Sequence, residues 1–159
     1  EISVRDWSSD VCSSDLKTMI TTTAPSFMPL LHRGRPPGSP TLSTMTIAQL
    51  AEAFSGHRFA QVYPHLAEDV RWTIIGDRTI AGKSAVIATC DDSAAYLATV
   101  TTGFTRFKVV VGDDIVVIDS RATYVDTEGI ATTVASCDVY EFVDDILTEI
   151  TSYTVELGA

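Results

Sequence analysis

Residues 130–157 read IATTVASCDVYEFVDDILTEITSYTVEL, two runs rich in β-branched and aromatic residues that break only at Asp144-Asp145. Such composition between short polar punctuation predicts strands, here over 130–142 and 147–157. On the first run a period of two places Thr132, Val134, Ser136, Asp138, Tyr140 and Phe142 on one face. Thr133, Ala135, Cys137, Val139 and Glu141 take the other. The same pattern extends upstream to strands over 103–111 and 115–125. Their turns fall at Gly112-Asp113-Asp114 and at 126–129. Links this short join antiparallel neighbours, because parallel pairs need long crossovers.

Before the strands the period changes. Ile47, Leu50, Ala51 and Phe54 recur at helical spacing, and Gly56 is expected to end that helix as a left-handed C′ residue. Phe59, Val62, Tyr63 and Leu66 predict a second helix over 57–67, kinked or cut short by Pro64. A strand over 70–75 and a short one over 79–81 follow, then a third helix over 84–100 that Asp91-Asp92-Ser93 could interrupt. Helices first and a meander afterwards predict an α+β domain with helices on one face of the sheet.

The first 44 residues read differently. Residues 6–16, DWSSDVCSSDL, match codon for codon the translation of a common short-read sequencing adapter, and are set aside as an artefact. Residues 17–44 hold five of the six prolines without apolar periodicity, a composition expected to stay disordered. Met45 is therefore the expected start of the native chain and 45–159 its one domain. The leader carries four acidic and four basic residues, so those 115 residues, with seventeen acids against seven bases, hold the whole net charge of −10. That sign argues against nucleic acid and anionic membranes as partners. With no apolar run of membrane-spanning length, no secretory segment and no paired-cysteine motif, a cytoplasmic protein with two reduced, buried thiols (Cys90, Cys137) is expected.

Three segments, in this order and spacing, carry a resemblance: Leu66-Ala67-Glu68-Asp69-Val70-Arg71-Trp72, Ile80-Ala81-Gly82-Lys83-Ser84-Ala85-Val86, and Cys137-Asp138-Val139-Tyr140-Glu141-Phe142 running on to Tyr153. They resemble the NTF2-like superfamily, SnoaL-like proteins in particular, across residues 47–157. The resemblance implies a cone, a curved antiparallel sheet wrapped around N-terminal helices, enclosing an apolar pocket. It also implies a homodimer packed through the outer sheet face, where Ala135, Cys137 and Val139 lie. Superfamily members include polyketide cyclases, ketosteroid isomerases, epoxide hydrolases and non-catalytic proteins, so chemistry must be argued from the site.

Asp138 is the candidate catalytic residue. It matches the pocket-facing acid of the ketosteroid isomerases, and a carboxyl among apolar residues has its charged form disfavoured. It could then act as general acid/base or donate a hydrogen bond to a developing enolate. Alternatively it is bonded to a neighbour such as Ser136 or Tyr140 and only supports the pocket. The isomerase mechanism itself does not carry over: Ile74 stands where that family has its base, and Leu50 where it has a tyrosine. Tyr63, Trp72, Ile74, Ser136, Tyr140, Ile150, Ser152 and Thr154 are the candidate ligand-binding residues. Asp119 and Arg121 share a strand face without being placed beside Asp138. His65 is expected at the surface and His57 in a loop or capping role. No metal-ligand spacing or phosphate loop is present, so no metal or cofactor is expected. A small apolar molecule is the expected partner, with a non-catalytic binding or dimerisation module as the alternative.

Overall fold

The computed structural model describes residues 45–158; the expected leader, with the adapter-like stretch, lies outside them. The chain begins with helix α1, Ile47–Ser55, followed by two 3-10 turns, Phe59–Gln61 and Tyr63–His65. Strands β1 (Leu66–Ile74) and β2 (Arg78–Ala81) precede helix α2 (Lys83–Leu97). The rest is the meander: β3 (Thr101–Val111), β4 (Ile115–Val125), β5 (Ala131–Val143) and β6 (Ile146–Leu157). All six strands form one curved sheet in the order β2-β1-β6-β5-β4-β3. Among the described residues no helix is long and apolar enough to cross a membrane.

Strands joined by short links pair antiparallel (β1 with β2, β3 with β4, β4 with β5, β5 with β6), while β1 and β6 lie parallel and make the sheet mixed. The long crossover a parallel pair demands is supplied by everything between them. Register breaks at Phe104/Arg106 in β3 and between Leu147 and Glu149 in β6, opposite Glu141 and Phe142, mark bulges that bend the sheet. The β5–β6 hairpin turns on Asp144 and Asp145, both at positive φ, as a two-residue loop matching strand twist needs.

Helix α1 opens with a capping box: Thr46 Oγ1 accepts from the Gln49 amide at 3.2 Å, and Gln49 Oε1 accepts from the Thr46 amide at 2.9 Å. Its end corrects the expectation for Gly56, whose φ of −84° is ordinary. Glycine is needed there for space, since a Cβ would lie 2.7 Å from the Glu52 carbonyl oxygen. The left-handed residue is instead His57, at φ 62°, a conformation that costs a non-glycine residue about 1–2 kcal/mol.

The second expected helix does not form as an α-helix. Proline at the first turn of Tyr63–His65 has no amide to donate, and Leu66 already starts β1. Phe59, Val62 and Leu66 are buried all the same. His65, expected at the surface, is buried. Asp91-Asp92-Ser93 leave α2 unbroken. Cys90 is buried, which pushes its thiol up to about 12; Cys137, expected buried, is exposed on the uncovered sheet face.

Candidate functional site

The alternation of β5 resolves as expected: Asp138, Tyr140 and Phe142 face inward and are buried. Across the register Asp138 stands opposite Ile118 of β4 and Ser152 of β6, while Tyr140 stands opposite Val116 and Ile150. Strand β1 adds Trp72 beside Ile150 and Ile74 beside Ser152. The end of α1 descends onto this patch and delivers Phe54 and Ser55. Phe54 meets Trp72, Phe59 and Tyr140 edge-on, at centroid distances of 5.2, 5.2 and 5.8 Å.

Asp138, only 8% exposed, is the one buried carboxylate among the described residues. Ser136 Oγ donates to its Oδ2 at 2.9 Å, and Ser55 Oγ at 3.4 Å. Burial raises the Asp138 pKa, against the pull of hydrogen bonds from Ser152, Ser136 and Ser55. Two chains of donors thus converge on one carboxyl. Trp72 Nε1–H donates to Ser152 Oγ at 3.0 Å, leaving the Ser152 proton free for the acid. On the other side Tyr140 and Ser55 share a hydrogen bond of 2.6 Å. Full burial, then the charge of Asp138, hold the Tyr140 pKa well above the phenol value. Tyr140 therefore keeps its proton and donates to Ser55, which passes its own to Asp138. Such aligned bonds reinforce one another in a low-dielectric interior.

The structure brings Trp72, Ser136, Tyr140 and Ser152 into this network and packs Ile74 and Ile150 beneath it as buried core. Thr154 sits opposite Ser136 but is exposed. Tyr63 is held apart: its hydroxyl donates to Asp91 Oδ1 of α2 at 2.6 Å. Asp119 pairs with Arg106 on the outer face, behind the sheet from Asp138. Arg106 draws the Asp119 pKa down. Leu50, like Ile74, is buried core. No three His, Cys, Asp or Glu side chains among the described residues are grouped to hold a metal ion.

Two contributors were not visible in sequence. Ser55, at the last turn of α1, carries no motif; only three-dimensional packing brings it to Asp138. The other is His57. Its ring lies 5.9 Å from Phe59, 5.6 Å from Phe104 and 6.0 Å from Tyr124, and its Nε2 is 3.4 Å from the Tyr124 hydroxyl. Burial lowers the His57 pKa, so the imidazole is held neutral. Burial, then the charge of Asp138, pushes Tyr124 up to about 12.

The sequence profile of the SnoaL-like domain matches residues 47–150. No curated protein gives a significant match. Among solved structures, an NTF2-like protein of unknown function from Cytophaga hutchinsonii ATCC 33406 is 30% identical, over 67% of this chain and 93% of its own, with a TM-score of 0.60. An LEH-like epoxide hydrolase from M. tuberculosis is 17% identical over 69% of this chain and 82% of its own, TM-score 0.53. A candidate polyketide cyclase from Xanthomonas campestris pv. campestris is 17% identical over 68% and 92%, TM-score 0.53. At that identity the last two share the fold.

Proposed function

The chain belongs to the SnoaL-like domain family and has its NTF2-like fold, and from that premise we propose that it binds a small, largely apolar carbonyl compound and moves a proton on it through Asp138. The observation behind this is the isolation of Asp138: the one buried carboxyl among the described residues, with hydroxyls around it, on the helix-covered face of the sheet. A carboxyl whose pKa is raised serves either direction of proton transfer. Protonated, it donates to a carbonyl oxygen as charge develops there; ionised, it takes the adjacent C–H proton. Trp72 and Tyr140 would flank a flat ligand, and the hydroxyls would keep the acid oriented. The chemistry is of cyclase or isomerase type, without the paired groups of the steroid isomerases, since Ile74 and Leu50 exchange no protons.

A second reading, a non-catalytic binding or dimerisation module, is favoured by one specific fact: Ser136 and Ser55 already donate to Asp138 Oδ2, so the carboxyl is partly satisfied within the protein. Thermal shifts separate carbonyl binding at Asp138 from a module that binds no such compound. With 2-acetonaphthone as probe, the full chain is expected to melt higher, and Asp138→Asn to lose most of that gain. No shift for the wild type rules against the carbonyl-binding reading and leaves the module.

The uncovered outer face is proposed to pack against a second copy. Tyr153 and Val155 are exposed there beside half-buried Val139 and Ala135, and Cys137 lies opposite Tyr153. Sedimentation is expected to give a dimer that Val155→Glu dissociates; a wild-type monomer at micromolar concentration would refute it.

A further inference from the structure

We infer that His57 and Tyr124 form a second polar anchor of the site, so that it selects flat apolar molecules carrying two oxygen functions, one for Asp138 and one for this pair. The inference rests on the binding role proposed for the Asp138 face. Geometry links the two anchors: Ser55 and His57, two residues apart at the end of α1, reach Asp138 and Tyr124 respectively. The walls around the second anchor are aromatic, with Phe59 and Phe104 beside the imidazole.

Two features point to a ligand rather than to packing alone. The His57–Tyr124 contact is long at 3.4 Å, so neither group is committed to the other. Phe104, one wall, is 39% exposed, so this end of the face is open to solvent where the Asp138 end is closed.

The pair can receive either kind of oxygen. With the proton on Nδ1, Nε2 accepts from Tyr124, whose oxygen then accepts from a ligand hydroxyl. With the proton on Nε2, the imidazole donates to Tyr124, whose own O–H turns to a ligand carbonyl. Burial keeps both groups neutral near pH 7, so the choice is of tautomer and not of charge.

Four probes on one skeleton test this by calorimetry on the full chain: naphthalene, 2-naphthol, 2-acetonaphthone and 6-hydroxy-2-acetonaphthone. The two-oxygen compound is expected to bind about three- to tenfold more tightly than 2-acetonaphthone, one net hydrogen bond's worth. Tyr124→Phe, which keeps the ring, and His57→Asn, which tolerates the left-handed backbone, should each erase that increment by costing 6-hydroxy-2-acetonaphthone more than 2-acetonaphthone. Asp138→Asn should weaken both carbonyl compounds. Equal affinity of the two carbonyl compounds, or equal losses for both in Tyr124→Phe, overturns the anchor while the Asp138 reading stands. Absence of binding by the whole series overturns both.

Discussion

Asp138→Asn is expected to be more stable than the wild type at pH 7, while any turnover falls by about 10²–10⁴-fold, the range general acid–base groups supply. The sign follows from the carboxyl's surroundings. Its folded pKa is raised, chiefly by burial, so the native state holds the proton more tightly than the unfolded chain does. Its contribution is therefore fully present below the unfolded value of about 4 and is lost as pH rises through the folded pKa. An amide carries no charge to bury. It keeps an oxygen where Ser136 and Ser55 donate, and Ser152 can rotate to accept from its NH₂. Asp138→Ala should do the opposite, because it leaves the part-buried Ser136 and Ser55 hydroxyls without this acceptor, at the low end of about 1–3 kcal/mol each. The check is urea unfolding of wild type and both variants from pH 4 to 8, read as differences from the wild type. Differences are needed because His57, its pKa lowered by burial, adds a trend of opposite sign: its contribution is present above about 6.5 and lost as pH falls. If the amide variant were less stable than wild type and the gap widened with pH, the hydroxyls would outweigh burial and Asp138 would be a structural carboxylate.

That acid could be placed from the sequence because strand alternation is a local signal. Once 130–142 is a strand, the face shared by Asp138, Tyr140 and Phe142 follows from parity alone. Parity does not say which face is covered, and so Cys137 was expected buried and proves exposed. The parallel β1–β6 pairing is illegible for a related reason: Trp72 and Ile150 are partners far apart in the chain, with nothing local to announce it. The stripe at Phe59, Val62, Tyr63 and Leu66 misled because apolar residues three apart suit a pair of 3-10 turns as well as an α-helix. Only the amide missing from Pro64 weighs between them. His57 escaped because Gly56 beside it is the natural candidate for a left-handed residue. What excludes a side chain at 56 is a carbonyl one turn back, a contact no residue type reports. The site was thus half legible: its acid and flanking aromatics were read from the strands, while Ser55 ends the helix that lands on them and His57 follows its cap.

Phe54→Ala should be the most damaging single truncation near the site, costing about 3–5 kcal/mol, a large share of what a small domain has. The ring is 4% exposed and touches Phe59, Trp72 and Tyr140 edge-on, so its loss opens a cavity among three large rings that cannot all collapse. Phe54→Leu, which refills most of that volume, should cost less than half as much. The cavity would also reach the network, since Phe54 precedes Ser55 and separates Trp72 from Tyr140. Water entering there would solvate Asp138 and relieve the burial that raises its pKa. Asp138→Asn should then stabilise the Phe54→Ala background less than it stabilises the wild type, making the two changes non-additive. A double-mutant cycle at pH 7 measures this. Additivity within about 0.3–0.5 kcal/mol, the scatter of independent sites, would mean that the aromatic cluster supports the fold without governing the acid.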